Sequence, residues 1–296
     1  MQRRFATLDV FTDRRFAGNP LAVVLDGEGI DATAMQAFAR EFNHPETVFV
    51  LPPGDAGHRA RVRIFTPARE LPFAGHPTVG TAVLLGLRDG GGPGHEFVLQ
   101  EGIGPVRCTL EARGASHGSA RFALPQLPAE IGVPADDATL AAALGLAPAD
   151  VGFGAFRPAR WSAGIPITFV PAARLSAVGE CRPDPGRLVA ACGDDPVYVF
   201  CRETADPGHA FHARMFAPAL GIREDPATGS AAAAFAGLLA ASDGLADGEH
   251  AIAIEQGYEM GRPSVIRLAI AVAGGRLASA SIAGDAVIVT EGTIEA

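Results

Sequence analysis

The stretch Arg63-Ile64-Phe65-Thr66-Pro67-Ala68, followed by Phe73-Ala74-Gly75-His76-Pro77-Thr78, has a near copy further on. That copy is Arg214-Met215-Phe216-Ala217-Pro218-Ala219, followed by Asp225-Pro226-Ala227-Thr228-Gly229-Ser230. The copies stand about half a chain length apart in 296 residues, so the chain reads as two related halves. Each copy runs from an apolar strand into a helix opened by glycine and small polar residues. A helix start exposes unpaired N–H groups and the positive end of the helix dipole. Two such starts facing each other would grip an anionic small molecule.

The length suits two ordinary domains, and a hydrophobic content of 48% supplies real cores. A net charge of −9 argues against a nucleic-acid binder, which needs a basic face. The four cysteines, Cys108, Cys181, Cys192 and Cys201, form no CxxC pair and have no histidine at metal-ligand spacing. They read as reduced thiols, with no metal expected. Asp9 interrupts the N-terminus where a signal peptide needs an apolar run. The longest apolar stretch, 231–241, falls short of the ~20 residues of a membrane span. These features predict a soluble cytoplasmic protein with no nucleic-acid or membrane partner.

Along the first half, Arg4–Val10 and Leu21–Leu25 read as strands, and Asp31 as the N-cap of a helix to about Phe42. Strands follow at Thr47–Leu51 and Arg61–Thr66, then a helix from His76 to about Leu87, then strands at Glu96–Gln100 and Pro105–Glu111. The second half repeats the order. It has strands at Arg121–Leu124 and Thr168–Val170, with a helix from near Asp137 between them. Strands at Val197–Arg202 and His212–Phe216 precede an Ala-rich helix from Ser230 to about Ala241. Strands at Ala251–Glu255, Val265–Val272, Arg276–Ile282 and Ala286–Thr290 complete it. The polar stretch Gly114–Ser119 is the linker candidate. Both repeated helices are apolar on nearly all sides, which predicts burial. The expected class is α+β: two pseudo-symmetric halves, each a curved, mostly antiparallel sheet or barrel wrapped around a central buried helix. The halves are expected at 1–118 plus about 284–296 and at 119–283, with the site in the cleft between them.

Four residues stand out for chemistry. Glu46, at the mouth of an apolar strand, is either an exposed loop carboxylate or a general base. His76 sits in the first turn of its helix, beside Pro77, which suits a helix start. Asp225 precedes the second helix and reads as a dipole-matching cap or a site residue. Ser230 lies in neither a P-loop nor Gly-x-Ser-x-Gly, so it reads as a hydrogen-bonding cap rather than a nucleophile.

Taken in order from residue 5 to about 264, several motifs together resemble the phenazine-biosynthesis PhzF-like family. They are Asn19-Pro20-Leu21-Ala22-Val23, Glu46-Thr47-x-Phe49, Phe65-Thr66-Pro67 with Gly75-His76-Pro77-Thr78, and Asp225-Pro226-Ala227-Thr228-Gly229-Ser230-Ala231. Gln256-Gly257 and Gly261-Arg262-Pro263-Ser264 resemble a late motif of the same family, structural or site-lining. The resemblance implies a diaminopimelate-epimerase-like fold, with Glu46 as the acid/base that moves a proton on the substrate's carbon skeleton. It carries the family's site histidine, aspartate and serine onto His76, Asp225 and Ser230. It also implies substrate contacts from Asn19 and a carboxylate cradle in the backbone of Gly75, Pro77, Thr78, Gly229 and Ala231. A homodimer is implied as well.

Inversion at carbon in this architecture uses two thiols, one on each face, and no cysteine lies in either helix-start motif. One carboxylate suits the return of a proton to a nearby carbon on the same face. The sequence therefore predicts a cofactor-independent isomerase of a small carboxylate-bearing metabolite. The alternatives are an amino-acid racemase or epimerase on the same fold, and a non-catalytic small-molecule binder.

Overall fold

The structure is a computed structural model that describes residues 1–295. The chain separates into two compact units, Met1–Pro125 with the segment from Ala283, and Gln126–Ile282. In the first unit the order is β1 (Gln2–Val10), β2 (Asn19–Val24), α1 (Ala32–Phe42), β3 (Glu46–Leu51), β4 (Ala60–Phe65), β5 (Glu70–Leu71), α2 (Gly75–Arg88), β6 (His95–Glu101), β7 (Gly104–Ala112) and β8 (His117–Ala123). The second unit begins with β9 (Ala129–Glu130), α3 (Asp137–Leu144), β10 (Ala159–Ser162), β11 (Pro166–Pro171), α4 (Leu175–Glu180) and α5 (Pro185–Cys192). It continues through β12 (Val197–Cys201), β13 (Phe211–Ala217), β14 (Ile222–Asp225), α6 (Gly229–Ser242), β15 (Gly248–Gln256) and β16 (Ser264–Ala273). The last strand, β17 (Arg276–Glu295), starts in the second unit and ends in the first.

The sequence repeat is a repeat of strand pairing. In the first unit β1–β2 is antiparallel, β2–β3 parallel, β3–β4 and β4–β5 antiparallel, β4–β6 parallel and β6–β7 antiparallel. In the second unit β10–β11, β11–β12, β12–β13, β13–β14, β13–β15 and β15–β16 follow the same six directions in the same order. The first unit closes on itself: β7 pairs β8, β8 pairs β17, and β17 pairs β1. That gives an eight-stranded, mostly antiparallel barrel around α2.

Burial explains why each helix sits where it does. α2 is buried without a break from Gly75 to Gly86, and α6 is buried at Gly229 and from Ala231 to Leu239. An all-round apolar helix is stable only with sheet on every side. α6 is centred on Phe235, which meets Phe200, Phe211 and Phe169 at ring-centroid distances of 4.7, 5.0 and 5.5 Å.

Two expectations are corrected. Gly114–Ser119 is no linker; it is the turn and first residues of the β7–β8 hairpin, in which Ala112 pairs with Gly118. Two strands read separately at Arg276–Ile282 and Ala286–Thr290 are the single strand β17. Gly284 does not break it: a Cβ there would lie 2.2 Å from the Phe11 ring, so the glycine marks a close packing contact.

Candidate active site

Helix capping separates α2 and α6 from their neighbours. Asp31, Asp136 and Asp184 each accept a first-turn N–H of α1, α3 and α5, at 2.8, 2.9 and 2.9 Å. The Glu203 carboxylate takes the N–H of Leu175 at the start of α4. At α2 the N-cap is Ala74, at α6 it is Thr228, and neither supplies a side-chain cap. These two starts are also the buried ones. A buried, uncapped start holds N–H groups and a dipole end in reserve for an anion.

In the first unit the chain leaves α1 through Asn43 in the left-handed region (φ 50°) and passes His44 and Pro45. That turn delivers Glu46 as the first residue of β3, in parallel register with Leu21 of β2. Glu46 is mostly buried, and its Oε2 lies 3.2 Å from Nδ1 of His76. Asn19 is fully buried at the start of β2. His76 is the second residue of α2 and is 4% exposed. Burial pulls its pKa down to about 3; the Pro20 carbonyl, which accepts from the ring, opposes that, and nearby His44 adds to it. The imidazole is therefore neutral, and its approach to Glu46 is not an ion pair. Nε2 has no protein partner, so the proton donated to Pro20 sits on Nδ1. A neutral ring carries one such proton. Nε2 is left as a buried acceptor with no protein donor.

In the second unit β14 ends on Asp225, 7% exposed. Thr228 Oγ1 donates to its carboxylate. Gln256, the last residue of β15, ties the pair together. Its Nε2 donates to the Asp225 carbonyl at 2.7 Å and to Thr228 Oγ1 at 3.0 Å, and its Oε1 accepts the N–H of Thr228 at 3.2 Å. Gly257 makes this approach possible: at φ +79°, a Cβ there would lie 2.6 Å from the Pro226 carbonyl. Ser230 is the second residue of α6 and half-buried. Its expected capping bond is not made. Position explains this, since a capping side chain belongs to the residue before the helix and Ser230 lies inside it.

The structure thus joins Glu46 with His76 in one unit and Asp225 with Thr228 and Gln256 in the other. Thr228 has no separate role in the sequence reading, and Gln256 appears there as a motif residue. The readable signal was its place in Glu255-Gln256-Gly257, a strand-ending glycine turn that answers Gln100-Glu101-Gly102 in the first half.

None of the four cysteines lies in either helix-start motif. Cys108, Cys181 and Cys201 are buried. Burial pushes Cys181 and Cys201 each up to about 12 and also raises Cys108 and Cys192. Among the described residues no group of three or more His, Cys, Asp or Glu side chains is placed to hold a metal ion. No helix of the described residues is long and apolar enough to cross a membrane. A cavity of about 1020 Å³ in the second unit is lined by Arg182, Arg214 and Glu259, but not by Asp225, Thr228 or Ser230. Two of its three arginines are already engaged, Arg214 by Glu224 and Arg182 by the Gly179 and Cys181 carbonyls; the third is Arg223.

Comparison with known proteins shows the family. The sequence profile of the phenazine biosynthesis-like protein family matches residues 8–292. An uncharacterised isomerase of Mesorhizobium japonicum is 51% identical, over 99% of this chain and 98% of its own. The trans-2,3-dihydro-3-hydroxyanthranilate isomerase of Pseudomonas aeruginosa is 35% identical, over 98% of each chain. The crystal structure of a PhzF-family phenazine biosynthesis protein of Bacillus anthracis superposes with a TM-score of 0.90 at 25% identity, over 100% of both chains. With a profile match over nearly its whole length and isomerases among its relatives, the chain belongs to the phenazine biosynthesis-like (PhzF) family of isomerases.

Proposed function

We propose that this isomerase moves a proton between two carbons of a small carboxylate-bearing metabolite without a cofactor, and that Glu46 is the proton shuttle. The observation that carries the reading is Glu46 Oε2 at 3.2 Å from a neutral, buried His76 at an uncapped helix start. Glu46 takes the proton from carbon. The electron pair left behind delocalises through a conjugated double bond toward the substrate carboxylate. The first-turn N–H groups of Gly75 and His76 and the α2 dipole stabilise that charge. The protonated Glu46 then returns the proton to the far carbon of the allylic system. One bond to hydrogen breaks, one forms, and the double bond shifts, with no net gain or loss of electrons.

His76 Nε2 accepts from a hydroxyl or amino group of the substrate and so orients it. The resemblance of their motif to that of the family carries a catalytic assignment to Asp225 and Ser230 as well. Asp225 is held by Thr228 and Gln256, while Ser230 leaves its hydroxyl for substrate. A two-thiol racemase is disfavoured, because burial holds the Cys181 and Cys201 thiols near pKa 12, where they supply almost no thiolate at neutral pH, and raises Cys108 and Cys192 as well.

The test is turnover, followed by NMR, of trans-2,3-dihydro-3-hydroxyanthranilate and a panel of small unsaturated carboxylates. A substrate is expected within that class, with Glu46→Gln reducing its turnover roughly 10²–10⁴-fold, the range for losing a general base. Wild-type turnover retained in Glu46→Gln would overturn the reading, as would binding of these carboxylates with no turnover of any.

A further inference from the structure

One buried carboxyl lies outside this chemistry. Glu101 ends β6 and is 5% exposed. Gly102 after it lies against Pro72, three residues before α2, as Gly257 lies against Pro226, three residues before α6. Glu101 is therefore the first unit's counterpart of Gln256. Its Oε1 is 2.8 Å from Thr78 Oγ1, and that same hydroxyl is 2.8 Å from the Ala74 carbonyl. Proton counting favours a protonated carboxyl, since one hydroxyl proton cannot fully serve two acceptors. The carbonyl only accepts, and the threonine has one hydroxyl proton. With that proton on Ala74, the second short contact requires a proton from Glu101.

We propose that Glu101 is a positioning residue of the site: a neutral carboxylic acid whose O–H donates to Thr78 and fixes the first turn of α2, as the Gln256 amide fixes Thr228 at α6. The role of that turn as a carboxylate seat rests on the function proposed above; the protonation state does not. Burial supports it, pushing the Glu101 pKa up to about 8 against a smaller opposing contribution from Thr78. The groups that face it also fit. Thr78 on α2 is uncharged, and the buried Cys108 thiol on β7 is itself raised, in part by Glu101. Arg61 and Arg63 of β4 and Glu70 of β5 share a cavity of about 500 Å³ with it; Arg63 is committed to Glu70 in a two-bond pair, and Arg61 is exposed, where water and salt screen its charge. A neutral Glu101 leaves the α2 dipole unopposed for a substrate carboxylate, whereas an ionised one would compete with the substrate for it.

The experiment compares wild type, Glu101→Gln, Glu101→Ala and Thr78→Val, with no substrate required. A group whose folded pKa is raised contributes stability that is complete below its unfolded value and lost as pH rises through the folded one. Wild type should therefore lose melting temperature relative to Glu101→Gln between about pH 4.5 and about pH 8. Glu101→Gln should restore the fold's stability where Glu101→Ala does not, because the amide still donates to Thr78. Infrared spectra at neutral pH should show a protonated-carboxyl stretch that vanishes in Glu101→Gln and moves to higher frequency in Thr78→Val. No such stretch in wild type, or a Glu101→Gln melting-temperature difference that is flat across that pH range, would overturn the proposal. Failure of Glu101→Gln to fold would also count against it, since the proposal requires a neutral donor to suffice. None of these outcomes depends on whether the chain isomerises a carboxylate.

Discussion

The starts of α2 and α6 are built on the same sequence of strand pairings, open helices of equal length, and lack side-chain caps. Their chemistry differs. α2 gathers a neutral imidazole beside Glu46, and its first-turn hydroxyl contacts the buried carboxyl of Glu101. α6 gathers the carboxyl of Asp225, a hydroxyl and an amide. The repeat thus fixes where two open N-termini lie, and single side chains decide what each does there. Function in such a fold belongs to the site rather than to the architecture.

The largest difference to break is electrostatic. The depressed pKa of His76 lies below its unfolded value of about 6.5, so its contribution is complete above that pH and is lost as pH falls toward about 3. The loss is on the order of a few kcal/mol. Melting curves should show wild type declining across that acid range more steeply than His76→Asn. Equal slopes would mean that the ring titrates alike folded and unfolded, and the contrast with α6 would narrow.

Gln256→Leu sharpens the other side. It strips partners from the Thr228 N–H and the Asp225 carbonyl, both buried, at a cost of ~1–3 kcal/mol. It should also depress turnover by freeing Asp225, with kcat falling more than KM rises. Denaturant unfolding and steady-state kinetics read the two effects separately. A loss of stability with kinetics unchanged would make Gln256 purely structural.

The smallest effect belongs to the capped helices. Asp31→Ala and Asp136→Ala should each cost ~1 kcal/mol with turnover intact. A kinetic defect in either would show that the capped starts matter to the site as well.

Most of the scaffold was legible because it is periodic. Arg63-Ile64-Phe65 and Arg214-Met215-Phe216 alternate as strands, and the apolar helices after them announce burial. Asp31 was readable as a cap from its place before the pattern. The missed pieces are those whose meaning is set by distant partners. Gly284 looks like a strand break until Phe11 is seen lying over it. Gly114–Ser119 has the composition of a linker, which a hairpin turn shares. Asp184-Pro185 carried a readable cap and first-turn proline for α5 that the strand-centred reading passed over. Within the site, Glu46 and His76 were legible as candidates. Their 3.2 Å approach and the uncharged state of the ring depend on burial. The Glu255-Gln256-Gly257 turn marked Gln256, but its tie to Thr228 spans 28 residues, and nothing local names the partner.

The central claim is that a single carboxylate, Glu46, performs the proton transfer. It is tested most directly by following one turned-over carboxylate by NMR in deuterated water with wild type and with Glu46→Gln. The account predicts a shifted double bond in wild type, the new carbon carrying the substrate's own hydrogen together with the deuterium that exchanges onto Glu46 before return, and no shift at a measurable rate in the variant. Isomerisation and deuterium uptake at the wild-type rate in Glu46→Gln would contradict it.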